Sequence, residues 1–197
     1  MQMKFLIFIS SIILFYGSID NGQRDQFIAT DVCINEEEIT LYNLIMEYRK
    51  SKNLKAIPLS AKLTQVAQAH THDLSDNYNI DSKNKCNPHS WSKKGAWTAC
   101  CYTSDHKQAK CMWDKPNEIA GYASPGYEIA YYSSLGAKAQ EGLDGWKVSP
   151  AHNPLLINDG MWSKIEWNAI GVGIYKEYAV VWFGQIKDEV KPPSCSQ

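Results

Sequence analysis

The sequence predicts one α/β domain, an α-β-α sandwich of helices packed on a small, mainly antiparallel sheet and braced by disulfides. Three observations predict it. Two amphipathic helical patterns occupy the first half, at residues 36–53 and 61–74. Two apolar runs, Ala169–Tyr175 and Tyr178–Gly184, stand close enough near the end to form a hairpin. About 180 residues remain after a short leader, enough for one core but not for two stable ones.

The leader comes first. Lys4 precedes an apolar run at 5–16 that closes on Gly17 and Ser18. This is a signal-peptide layout over residues 1–18, too short to span a bilayer comfortably, and it predicts a secreted product. Residues 19–34 read as an N-terminal arm tied down by Cys33, residues 35–186 as the domain, and 187–197 as a tail. The whole chain carries a net charge of −1 and no basic tract. Binding to nucleic acid through bulk charge is therefore excluded.

Asn35 with Glu38 three positions on predicts a capped helix start. Ile39, Tyr42, Ile45, Met46 and Arg49 then follow at helical spacing. Pro58 breaks the chain, and Ser60 caps a second helix whose Leu63, Val66, Ala67, His70 and Leu74 share a face. Residues 79–125 lack strong periodicity and read as a cysteine-rich insertion, with its cysteines from 86 onward. Residues 127–132 read as a short strand and 137–147 as a helix with Trp146 on its apolar side. Ser149-Pro150 predicts a helix restart, with serine as cap and proline in the first turn. Lys176-Glu177 turns the final hairpin, a weak pair without glycine or asparagine.

Six cysteines (Cys33, Cys86, Cys100, Cys101, Cys111 and Cys195) in an exported chain predict disulfides, with 15 possible pairings. Adjacent Cys100 and Cys101 are expected to take different partners.

Several segments then line up in order: Leu59-Ser60-Ala61-Lys62-Leu63 running on to His70, Cys86-Asn87-Pro88-His89-Ser90-Trp91, Gly126-Tyr127-Glu128-Ile129-Ala130, and Trp146 followed by Ser149-Pro150-Ala151-His152. Together they resemble the CAP superfamily of cysteine-rich secretory, antigen 5 and pathogenesis-related proteins, over roughly residues 38–184. In that family two histidines and two glutamates face a shared cleft. The resemblance implies His89 and His152 as the histidines and Glu128 as the first glutamate, with Glu118 as its rival. Where many relatives carry the second glutamate this chain has Ser149, which sets it nearer the bacterial-type branch. Glu141, a turn before Trp146, is a candidate to reach the cleft in its stead.

Two neutral imidazoles and a carboxylate suit a divalent ion such as zinc, with His89 and His152 as its ligands. The same three residues would also serve as a hydrogen-bonded cluster at the cleft floor. His70 and His72 lie on different faces of their helix and read as core or surface residues. Trp91, Trp97 and Trp113 are expected to be exposed, and Trp146, Trp167 and Trp182 to pack on the sheet. The resemblance implies a non-catalytic binding, signalling or defence module that takes lipid, sterol or a divalent metal. A secreted peptidase or esterase using the histidine–glutamate cluster is the alternative, although no nucleophile elbow is recognisable. Expected partners are an extracellular protein, a lipid, or a glycan held on exposed aromatics. The expected oligomeric state is a monomer.

Overall fold

The computed structural model describes residues 32–78 and 85–195; the signal-peptide reading of residues 1–18 lies outside them. Helices α1 (Glu36–Ser51), α2 (Ala61–Asn77) and α3 (Ala109–Ala120) precede strand β1 (Gly126–Tyr132). Then come α4 (Ala139–Val148), the short α5 (Asn153–Leu156), a 3-10 turn at Gly160–Trp162, and the strands β2 (Ala169–Tyr175) and β3 (Tyr178–Gly184). The three strands form one antiparallel sheet in the order β1-β3-β2, so β3 is central and β1 is an edge. None of the described helices is long and apolar enough to cross a membrane.

Alternation along β3 divides the interior into two cores. Ala179, Val181 and Phe183 point into a core shared with Leu41 and Ile45 of α1, Leu143 and Trp146 of α4, and Leu155 and Leu156 of α5. Tyr178, Val180 and Trp182 point the other way, against Leu63, Val66, Ala67 and Leu74 of α2. The expected sandwich is present: α1, α4 and α5 on one face, α2 and α3 on the other. Trp146, Trp167 and Trp182 are all buried in these cores, as expected.

Helix α2 lies directly on β2 because that strand offers glycines on the facing side. A Cβ at Gly171 would run into the Leu63 carbonyl group, and one at Gly173 into that of Ala67. The helix backbone therefore rests on the sheet without side chains between them, which fixes the height of His70 above β1 and β3.

The first helix begins with the predicted box: Glu38 N–H donates to Asn35 Oδ1 and Asn35 N–H to Glu38 Oε2, each at 2.9 Å. Glu38 is itself buried and also accepts from Gln68 of α2 and Ile174 N–H of β2, so one cap ties three elements together. Arg49, on the apolar stripe, is buried because its guanidinium donates to the Leu156 carbonyl at 2.6 Å and to Asn158 at 2.8 Å. The disulfides are Cys33–Cys195, Cys86–Cys101 and Cys100–Cys111. Cys100 and Cys101 indeed part company.

Two sequence expectations need correction. The insertion is not wholly irregular, since α3 runs through it. Its buried positions are Met112, Lys115 and Pro116, and a lysine and a proline do not read as an apolar helical stripe. The second concerns Ser149, which ends α4 rather than capping a new helix. Its carbonyl accepts from His152 N–H and Asn153 N–H at 3.2 and 2.9 Å, and α5 starts only at Asn153. Pro154 holds the first-turn place assigned to Pro150.

Candidate functional site

Helix α2, the segment after Cys86 and strand β1 meet at Glu128. This carboxylate is fully buried and bridges two imidazoles: Oε2 lies 2.7 Å from His89 Nδ1, and Oε1 contacts His70 Nδ1. His70 reaches it because the apolar face of α2 points at the sheet. His89 reaches it because its loop is pinned on both sides. Cys86–Cys101 holds one end. Trp91 and Cys100 exchange backbone hydrogen bonds at 2.9 and 3.0 Å, and Asn87 N–H donates to the Tyr102 carbonyl at 2.7 Å. Asn87 Oδ1 accepts from His89 N–H at 3.0 Å, and Asp73 of α2 accepts from Ser92 N–H at 2.7 Å.

Hydrogen bonding assigns the protons. The Ser90 carbonyl, 3.0 Å from His70 Nε2, can only accept, so that nitrogen donates. Burial pushes the Glu128 carboxyl upward, but the adjoining His70 and His89 rings more than offset this and hold it below its ordinary value. Glu128 is therefore a carboxylate, and both Nδ1 atoms donate to it. His70 thus donates from both nitrogens, and its ring stacks on Trp91 at 4.0 Å between centroids with planes 8° apart. An electron-rich indole face suits a ring in that state. His89 uses Nδ1 for the clamp, and Nε2 is the ring nitrogen the clamp leaves uncommitted.

His152 follows the turn after α4. Burial lowers its pKa first, and the proximity of His89 lowers it further, so it stays neutral with a lone pair to offer. Tyr102 closes one side with its ring 5.2 Å from that of His89. Burial and the Glu128 charge both raise its pKa, so it remains a phenol.

The structure therefore gathers Glu128 and His89, with His152 near His89. Glu118 is elsewhere: on α3 it accepts from Thr98 N–H and from Lys115, which is buried. Glu141 is exposed on α4, and α4 packs on the other face of the sheet. His70 is the residue that sequence reasoning left aside. Its signal was legible, because an imidazole on a face with Leu63, Val66, Ala67 and Leu74 goes into the interior and must find a partner there. His72, by contrast, is exposed and stacks on Tyr175 at 3.7 Å. Trp91 is buried rather than exposed, because His70 requires its face. Trp97 is half-buried against its edge. Trp113 is 40% exposed, as expected.

A pH dependence follows. Glu128 has a depressed pKa in the folded state, so its contribution is complete above the unfolded value near 4.5 and is lost as pH falls through the folded value. Urea midpoints should fall with acidification below about pH 4.5. Glu128→Gln should flatten that part of the profile.

Comparisons with known proteins agree with this fold. The family model described as "CAP: Cysteine-rich secretory protein family" matches residues 42–182. A search of curated proteins finds no match. Among solved structures, the chain is similar to an extracellular protein containing a SCP domain from Bacillus anthracis strain Ames, at 18% identity and a TM-score of 0.52. That match covers 76% of this chain and 40% of the other. It is also similar to a cysteine-rich secretory protein from Staphylococcus aureus Mu50, at 15% identity and a TM-score of 0.50, over 76% of this chain and 38% of that one. The chain thus spans about two-fifths of the length of these two proteins. At these identities the likeness concerns the fold.

Proposed function

Because the chain belongs to the cysteine-rich secretory protein family, we propose that it is a secreted binding module whose cleft presents the His89 and His152 imidazoles to a ligand. The observation that carries this reading is the state of Glu128. Both its oxygens are committed to imidazole nitrogens, and no part of its side chain is exposed. A carboxylate so engaged cannot take a proton from a substrate in the open cleft. It orients His89 and fixes the tautomer. Work done by the site then falls to two nitrogen lone pairs, which is the chemistry of coordination.

The donor set fits a divalent cation such as zinc in part. His89 Nε2 and neutral His152 would hold it, and a bound cation would supply a positive pole for an anionic or carbonyl-bearing ligand. Among the described residues no group of three or more His, Cys, Asp or Glu side chains is gathered to hold an ion. The two imidazoles would share it with water or with the ligand, an open site rather than a structural one. The signal-peptide layout, three disulfides and an extracellular structural relative support secretion.

Calorimetric titration of zinc sulfate into purified protein tests the cleft. The expected result is one saturable site, weakened by about tenfold or more in either His89→Ala or His152→Ala. Zinc binding undiminished in the double variant would overturn it. Turnover of peptide or ester substrates that disappears with the same substitutions would replace binding with hydrolysis as the function.

A further inference from the structure

A concavity lies apart from the histidines, between α3 and the segment 123–125. It is an open groove of about 890 Å³, within the size range of small-ligand sites. One wall is rigid, because the Cys100–Cys111 bond fastens the start of α3 to the preceding loop. Trp113 lines it with 40% of its surface exposed. Its ring meets Tyr127 of β1 at 6.3 Å, and Tyr127 meets Trp162 at 5.2 Å. Three aromatics therefore lead from the groove past Tyr127 of the edge strand to Trp162 of the 3-10 turn, and each is at least partly exposed.

The polar groups complete the chemistry. Gln108 precedes α3 but makes no side-chain cap bond, and with exposed Asn117 it brings planar amides, each both donor and acceptor, to the groove wall. The charges are already spent: Asp114 pairs with Lys110 at 2.6 Å, and Glu118 pairs with Lys115. Among the described residues, Lys115 is the one cation on the walls, and its side chain is only 2% exposed. A phosphate- or sulfate-bearing polymer would find no free cation among the described residues of the walls. A lipid tail would find an open, half-polar trough rather than an enclosed apolar one.

We propose that this groove binds a neutral oligosaccharide. The apolar C–H face of a pyranose ring stacks on Trp113, its hydroxyl edge meets Gln108 and Asn117, and further sugars follow Tyr127 and Trp162. Trp113 is the platform because its ring is both exposed and held by a neighbour, so little freedom is lost on binding.

The test uses the intact disulfide-bonded protein and a panel of cello-, xylo-, laminari-, manno- and chito-hexasaccharides, with heparin as the anionic comparison. Binding is followed by tryptophan fluorescence and by amide shift changes. The proposal expects at least one neutral hexasaccharide to bind at millimolar strength or tighter, with no loss on added salt. Trp113→Ala should weaken it by about tenfold, and Asn117→Ala by a smaller factor. Leu135→Ser, in the distant exposed loop after β1, should leave it unchanged. If Trp113→Ala does not fold, Asn117→Ala and the location of the shift changes on α3 decide the matter. No binding by any neutral member, binding untouched by the groove variants, or salt-sensitive binding of heparin alone would overturn it.

Discussion

Replacing Glu128 with glutamine should lower stability by about 3–5 kcal/mol, the usual cost of breaking a buried ionic contact from one side. The size is kept, so the loss is not one of packing. The amide cannot accept from both His70 and His89, and its own NH2 would face one of their N–H groups. His70 would have to give up its Nδ1 proton to take that NH2 while still donating to the Ser90 carbonyl, and the ionic contact would be lost inside a core where Trp91 and Trp182 pack around the ring. For a domain of this size the melting temperature should fall by roughly 6–20 °C. Calorimetry of the two proteins at neutral pH checks it. A melting temperature within two or three degrees of the parent would show that the clamp contributes little.

The second large effect concerns packing. Gly171→Val should cost more than about 3 kcal/mol and lower the yield of folded protein. A side chain there meets the α2 backbone at Leu63, not the end of a flexible neighbour. Relief requires lifting the helix, and His70 would rise away from Glu128 with it. The variant should therefore lose zinc affinity as well as stability, although residue 171 is not in the cleft. Val172→Ala, on the opposite side of the same strand, should destabilise the protein while leaving the clamp intact. Chemical denaturation with parallel zinc titration separates the two.

Much of the fold was legible because its elements carry local instructions. Asn35 and Glu38 announced α1, the stripe from Leu63 to Leu74 announced α2, and the final hairpin was written in apolar runs of seven residues each. Where sequence reading failed, the cause was tertiary. Helix α3 has no side-chain cap, contains Pro116 and buries a lysine, so its stability comes from the Cys100–Cys111 bond and the Lys115–Glu118 contact. The disulfide pairing cannot be read from spacing, and the i,i+3 lysine–glutamate pair gives no sign that the lysine is buried. The Ser149-Pro150 pair resembled a cap and first turn, yet the turn continues to His152 and leaves Pro154 in that role.

The site was legible by half. Glu128, His89 and His152 stood in ordered motifs, whereas His70 stood beside His72 and lost its distinctiveness. The separating fact is burial. His70 lies over the sheet and His72 over Tyr175 at the surface, and of the two the first is clamped on a buried carboxylate. Trp91 shows the same dependence, since its loop position suggested exposure and its partner ring dictated the reverse.

Proton positions on the histidine rings test the central claim most directly. Long-range nitrogen–proton correlation spectra of 15N-labelled protein at neutral pH should show His89 with a proton on Nδ1 and a bare Nε2, and His70 with protons on both nitrogens. A proton on Nε2 of His89 with Nδ1 bare would mean that Glu128 does not accept from it. The clamp, and the lone pair it presents to the cleft, would then both be contradicted.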